Sequence, residues 1–463
     1  MAKRTYIITA FQAKQNEKNA KLYGRDSTKG APNMNLITGL EKLCEDNDGE
    51  IMYLSMNGMD ASEYYEDYAH KFFRNNPHVY LPKNRNRKLN KNCIVSDDIV
   101  PPQNMDPATS RDRIVQKDQT RIFAHSKQRF KSIAAGNGRL PKLLITTGAC
   151  THPNYNETNH KGDLAKKEHK YGAVIVDVID NISFNVRIIP AQRDGVFIDL
   201  GKIYDGGKEV EHANVEALIL GDIHWGDHDP KTIRANDEML SYFKPKRIFL
   251  HDFINGHSVS PWERDKMITR VKLFEEGKLS IEKELIAAYN ELIRLSKNNP
   301  GTEINIVDSN HAFFFNGYLE SGQYLKEPWN TRIALKIANG LIDGKSPIET
   351  GLKLMGSIPP NVNFLDLRSD YIIQGWQLAS HGHRGISGAR GNVKSHEVAH
   401  GKSITGHAHA PEIMRDTVII GTSTRLDLPY TDGSASRWMA ANAVLYEGGL
   451  VQLIPIINGK WKG

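Results

Sequence analysis

The sequence predicts an α/β protein, and three observations carry that prediction. Short apolar, β-branched runs at 216–220, 247–250 and 303–307 read as strands covered on both faces, and each leads directly into residues with metal-binding chemistry. Residues 280–295 carry an apolar stripe at helical spacing. Ahead of these, strand-like and helix-like stretches alternate in a βαβ succession that favours a parallel sheet. At 463 residues the chain exceeds what one hydrophobic core usually organises. Two units are therefore expected, an N-terminal α/β domain at 1–200 and a second domain at 201–463, with the junction between 190 and 215.

In the first unit, 5–11 and 50–55 read as strands, with a helix at 35–44 between them whose apolar face is Leu36, Ile37, Leu40 and Leu43. An amphipathic stretch at 62–73 and a short strand at 78–81 follow. The segment Gly24-Arg25-Asp26-Ser27-Thr28-Lys29-Gly30 is not a phosphate-binding loop, because that motif needs Gly-Lys followed by Ser or Thr and here Lys29 precedes Gly30. A mobile loop is expected there. Residues 83–91 hold Lys83, Arg85, Arg87, Lys88 and Lys91 with no acid among them. Residues 111–131, read as a helix, add seven basic residues against Asp112 and Asp118. A third basic segment, 151–170, lies between a strand at 143–147 and a hairpin of 173–178 with 184–190. These segments are either solvated surface or contacts to nucleic-acid phosphates, and Lys83, Arg85, Arg87 and Lys88 are the named candidates for the second role.

In the second unit, Ser280 can cap a helix whose stripe is Ile281, Leu285, Ala288, Leu292 and Leu295. An insertion at 312–357 carries Phe313, Phe314, Phe315, Tyr318, Tyr324 and Trp329, read as core packing with base stacking as the alternative. Asp222-Ile223-His224, His251-Asp252-Phe253 and Asp308-Ser309-Asn310-His311 follow the three strand-like runs. Ser380-His381-Gly382-His383 and Gly406-His407-Ala408-His409 come later. Ligands in such sheets gather outside the carboxyl ends of the strands, so these motifs can meet. In a chain with 18 histidines a lone Gly-His-x-His means little, but five motifs in this order, three directly after a strand, point to one site. Two aspartates, an asparagine and four histidines suit transition metals. Two such ions can clamp the attacking and leaving oxygens of a phosphoryl displacement, and Asp252, alone at a central strand end, is placed to bridge them.

From Asp222 to His409 the motifs resemble those of the calcineurin-like metallophosphoesterases: Asp-x-His, Gly-Asp, Gly-Asn-His, an isolated His and Gly-His-x-His. The resemblance covers the chain from 216 onward and implies a β-sandwich flanked by helices for that part. It implies one metal on Asp222, His224, Asp252 and His409, and a second on Asp252, Asn310, His381 and His407. It further implies His311 as the catalytic histidine beside the leaving oxygen, and a water activated by both cations as nucleophile. The two divalent ions are expected to be Mn2+, with Mg2+, Fe, Ni, Co or Zn as alternatives. His251 and Ser309 stand where the pattern has glycine, which puts those loop shapes in question. Arg384 and Arg425 are candidates to hold phosphate oxygens, whereas Asp227, His228, Asp229, His257 and His383 are expected as solvated loop residues.

The arginine and the acid that Ser/Thr phosphatases carry after the second aspartate motif and after Asn-His are missing; Asn255-Gly256-His257 and Ala312 stand there. The Asp222-Ile223-His224-Trp225-Gly226 opening looks more like the SbcD-type DNA nucleases. The layout, with a large extra domain in front, is similar to that of DNA-degrading proteins of tailed bacteriophages, of the first-step-transfer kind. The formal net charge of +6 is compatible with a nucleic-acid partner, DNA first, and a homo-oligomer is compatible too. Three widely spaced cysteines form no disulfide framework, no run is long enough to span a membrane and no signal peptide opens the chain, so a cytoplasmic protein is expected. The expectation is a hydrolase, a metal-dependent DNA nuclease. The alternatives are a nucleic-acid-binding or scaffolding protein with a structural metal site, and a small-molecule phosphodiesterase.

Overall fold

In a strand, alternate side chains point to opposite faces, and this chain is apolar on both faces of its central strands. In the strand Arg4–Gln12, Tyr6, Ile8 and Ala10 enter one core while Ile7 and Phe11 enter another. In Val215–Leu220, Ala217 and Ile219 face that same first core while Leu218 and Leu220 face helices. The computed structural model describes all residues except 1–3, 15–19, 23, 57–68, 81–85, 97, 114, 116–118, 137–138, 429–432 and 463. Its architecture is mixed α/β, with sheets of eight, six and ten strands walling one shared core. Among the described residues no helix is long and apolar enough to cross a membrane.

The six-stranded sheet runs Val362–Leu365, Glu303–Val307, Arg247–Leu250, Val215–Leu220, Ala441–Tyr446, Val451–Pro455. Its first four strands are parallel, so their carboxyl ends lie along one edge. The outer face is covered by helices, chief among them Ile281–Asn298, capped by Ser280 and burying Ile281, Leu285, Ala288, Leu292 and Leu295. The eight-stranded sheet contains the hairpin Tyr171–Val178 with Phe184–Ala191 and the parallel pair Arg4–Gln12 with Glu50–Met56. The helix Met34–Asp46, capped by Asn33, covers it with Leu36, Ile37, Leu40 and Leu43.

The ten-stranded sheet draws five strands from before residue 200 and five from after it. Glu412–Met414 pairs antiparallel with Arg129–Ile133, Glu412 opposite Lys131, so a division at 200/201 runs through a shared sheet. The segment 111–131, expected as a helix, instead forms turns and then the strands Thr120–Phe123 and Arg129–Ile133. Its alternation decides this: Phe130 enters the core while Arg129 and Lys131 turn to acids. Of the stretch 62–73 only the short helix Lys71–Arg74 is described as regular structure, residues 57–68 lying outside the described residues. Residues 27–30, expected to be mobile, form a turn in which the Asp26 carboxylate accepts from the Thr28 backbone N–H and hydroxyl. The insertion after His311 is three helices, Asn310–Glu320, Pro328–Ile342 and Pro347–Met355, with Phe315 and Tyr318 buried as core.

Arg129 is the electrostatic joint of the shared sheet. It is 2% exposed, its Nε is 3.0 Å from Asp106 Oδ1, its Nη2 is 2.6 Å from Glu412 Oε1, and its Nη1 donates to the Ile413 carbonyl at 3.0 Å. Removing it strands two acids in a partly buried seam. Arg129→Ala is therefore expected to cost about 3–5 kcal/mol in urea denaturation. A loss below about 1 kcal/mol, the size of a surface pair, would show that this seam does not hold the two halves together.

Candidate metal centre

Past Leu220 and Leu250 the chain leaves the sheet but keeps its hydrogen bonding: Ile223 N donates to His251 O at 3.0 Å and His224 N to Asp252 O at 2.7 Å. The loops carrying Asp222, His224 and Asp252 are thereby held in register. His224 (φ 45°), Asp252 (φ 42°), His407 (φ 69°) and His409 (φ 54°) all adopt left-handed backbone. Non-glycine residues seldom do so, and the conformation persists where surrounding structure demands it, commonly at functional sites. Asn310 and His311 open the helix Asn310–Glu320, whose cap Ser309 accepts from the His311 N–H.

These turns bring ligand atoms of Asp222, His224, Asp252 and His409 within 4.8 Å of one another, and likewise those of Asp252, His381 and His407. His224 Nε2 lies 2.8 Å from His409 Nε2, His409 Nε2 3.1 Å from Asp222 Oδ2, and His381 Nε2 3.1 Å from Asp252 Oδ2. Asn310 Oδ1 lies 3.2 Å from His381 Nε2 and 3.0 Å from His407 Nδ1. Asp252 thus stands between both groups.

The electrostatics fit a cation. Asp222 and Asp252 are 0% and 1% exposed, and among the described residues neither Asp222 oxygen nor Asp252 Oδ1 has a hydrogen-bond partner. A buried carboxylate without donors is costly unless a positive charge compensates it. Burial would raise Asp252, but His381, His311 and His224 around it hold it well below the usual carboxylate range. Burial keeps His224 neutral, well below the usual imidazole value, and with His381 nearby pushes His407 down to about 3. For His381 burial is outweighed by Asp252, and its basicity rises. Gly406 completes the cradle, since a Cβ there would lie 2.2 Å from Asp222 Oδ1.

Outside the ligands, His224 Nδ1 donates to Asn255 Oδ1 at 3.1 Å, which turns the Nε2 lone pair inward. Asn255 Nδ2 donates in turn to Asp227 Oδ2 at 3.1 Å, and His257 Nε2 to the same oxygen at 2.8 Å. Asp227 and His257 are thus supports for His224, not the solvated loop residues expected. Their signal was positional: each follows an aspartate of the cluster by five residues. Glu284 anchors this loop by accepting from the backbone N–H groups of Gly256 at 2.6 Å and His257 at 3.0 Å. Asp229 caps the helix Pro230–Phe243, and His228 stacks on Trp225 at 3.9 Å. Ser309 needs no glycine freedom at φ −142°, and His251 is not among the left-handed residues.

His311 Nε2 lies 3.9 Å from Asp252 Oδ2, while its Nδ1 is hydrogen-bonded to the Asn255 carbonyl. Beside it opens a cavity of about 240 Å³, lined in part by Asp308, Ser309, Lys345 and Phe364. Arg384 is exposed, its guanidinium 4.7 Å above the Phe313 ring, and half-exposed Arg425 lies 3.6 Å from Asp227. Lys83 and Arg85 lie outside the described residues. Arg87 is engaged by Glu50 at 3.0 Å and packs on Tyr6 and Tyr80, which leaves Lys88 as the exposed cation of its two-residue strand. That strand is the last of the ten and Ser403–Thr405 the third, which separates them by roughly 30 Å along the sheet.

The chain matches no family model, and no solved structure matches it. Among curated proteins it is similar to protein A1 of Escherichia phage T5, 27% identical over 349 residues. The match covers 72% of this chain and 62% of the relative, so the chain spans less than two thirds of that protein's length. What geometry and comparison establish together is a buried His/Asp cluster able to hold metal, in a relative of a phage protein.

Gly406→Ala tests the cradle. The added methyl would displace the Asp222 carboxylate, so metal analysis after dialysis is expected to find at least one divalent ion per chain lost, with the thermal unfolding midpoint little changed. Parental stoichiometry would show that Asp222 can shift without consequence.

Proposed function

We propose that the chain is a two-metal-dependent phosphodiesterase, with DNA as its substrate. The observation that carries this reading is the convergence of Asp222, His224, Asp252, Asn310, His381, His407 and His409 where the carboxyl edge of the six-stranded sheet meets the ten-stranded sheet, around carboxylates three of whose four oxygens have no hydrogen-bond partner among the described residues, with His311 beside them. In this reading Asp222, His224, Asp252 and His409 hold one ion, and Asp252, Asn310, His381 and His407 the other. Such ions supply positive charge for phosphoryl oxygens and acidify a water. The remaining work falls to side chains. The Asn255 carbonyl accepts from His311 Nδ1 and so orients the ring with Nε2 toward Asp252, where that atom is placed to give a proton to the leaving oxygen. Arg384 and Arg425, both exposed, are the candidates to hold phosphate oxygens.

DNA is favoured by the net charge of +6 and the exposed basic positions such as Lys88. One observation favours a small-molecule phosphodiester instead: Arg87, Arg129, Lys131, Lys166 and Lys170 are all engaged by carboxylates. Incubating the protein with Mn2+, Mg2+ or EDTA and linear DNA, circular DNA, RNA or a nitrophenyl phosphodiester separates the readings. Cleavage of the small ester alone would sink the nuclease, and silence under every metal would leave a binding or scaffolding protein.

Two substitutions divide metal binding from proton transfer. Asp252→Asn is expected to abolish turnover and lower bound metal, because the bridging charge is lost; two ions still present per chain would show the bridge to be misassigned. His311→Ala is expected to keep both ions and bind DNA like the parent while turnover falls roughly a hundredfold or more. Unchanged turnover would remove His311 from the chemistry.

A further inference from the structure

One histidine at the centre has no place in the ligand scheme. His251 stands where the resembling family has glycine, is 0% exposed, and lies with its ring 5.5 Å from that of His381 at an interplanar angle of 28°. Its Nδ1 is 3.3 Å from His381 Nδ1. Two imidazole nitrogens at that distance are compatible only if one carries the proton and the other presents its lone pair. His381 Nε2 faces Asp252 Oδ2 at 3.1 Å and Asn310 Oδ1 at 3.2 Å, on the side of the ligand cluster. To ligate a cation it must offer a lone pair there, and its proton then sits on Nδ1.

We infer that His251 is a positioning residue for metal binding: its Nδ1 accepts a hydrogen bond from the His381 Nδ1–H, and so holds His381 in the tautomer whose Nε2 can ligate. This inference rests on the two-metal reading of the site. Its counterpart in the other group is visible, since Asn255 Oδ1 accepts from His224 Nδ1 and orients that ligand in the same way. The arrangement leaves the His251 proton on Nε2, an atom with no hydrogen-bond partner among the described residues. Ligand atoms of Asp222, His251 and His381 also lie within 4.8 Å of one another. A third ion among them would require His381 to give both ring nitrogens to cations and lose both protons, so His251 acts through His381 and not as a ligand alongside it.

His251→Phe keeps the ring and its stacking but removes the acceptor, whereas His251→Asn returns an acceptor oxygen close to the position of Nδ1. In calorimetric titration of the metal-free full chain with Mn2+, His251→Phe is expected to weaken one of the two ions by about ten- to a hundredfold, the usual consequence of losing a ligand's outer partner. The other ion should be unmoved, and His251→Asn should recover most of the loss. Parental affinity for both ions in His251→Phe, or equal losses in the Phe and Asn variants, would overturn the inference and leave the two-metal reading intact. A parent that binds no Mn2+ would overturn both. Should His251→Phe fail to fold, His251→Gly titrated with and without added imidazole makes the same comparison, rescue by imidazole supporting the inference and its absence overturning it.

Discussion

Two carboxylates, Asp222 and Asp252, lie buried at the carboxyl edge of a parallel sheet, with three of their four oxygens lacking hydrogen-bond partners among the described residues. That uncompensated negative charge is the constraint to which the surrounding structure answers. The imidazoles facing it include neutral ones that can give lone pairs, four residues accept left-handed backbone to aim their side chains, and a glycine leaves the space that any side chain would take from Asp222. A second ring of residues, Asn255 and Asp227, fixes which imidazole nitrogen faces inward. A cation would relieve a charge that the protein alone leaves exposed to its own interior.

The fold explains why residues nearly two hundred positions apart meet. Parallel strands place their carboxyl ends together, so each successive strand delivers its following residue to the same edge. Asp222, Asp252 and Asn310 arrive in this way, from three adjacent strands of the six-stranded sheet. His381, His407 and His409 arrive from the ten-stranded sheet across the core, after Trp376–Gln377 and Ser403–Thr405. The site is a seam between two sheets that share one apolar interior.

What could be read in advance follows from which physical signal is local. The stripe Ile281, Leu285, Ala288, Leu292 and Leu295 and its Ser280 cap lie within one helix, and they were legible because spacing alone determines which face is buried. The three strand ends were legible for the same reason, and the motif order made a shared site readable. The segment 111–131 was misread because its charges were counted and its alternation was not: Arg129 and Lys131 are paired with acids, one of them nearly three hundred residues away. Asp227 and His257 read as solvated residues in the sequence because their position, five residues after Asp222 and Asp252, does not by itself reveal the hydrogen bonds they make to Asn255 and to each other. Arg87 shows the converse, a residue whose charge suggested a ligand and whose partner is Glu50.

The pairing of Arg129–Ile133 with Glu412–Met414 has a consequence for synthesis of the chain. Strands Arg129–Ile133 and Lys142–Thr146 are made early, yet on one side their neighbour is Glu412–Met414. Until that strand leaves the ribosome, an edge of unpaired backbone amides and carbonyls is open to other chains. Contacts of such sequence separation also form slowly. The His/Asp cluster, which draws its residues from both sides of the shared core, is therefore complete only after translation has passed the last of its histidines. A nascent chain halted before that point would present a sticky sheet edge and an incomplete His/Asp cluster.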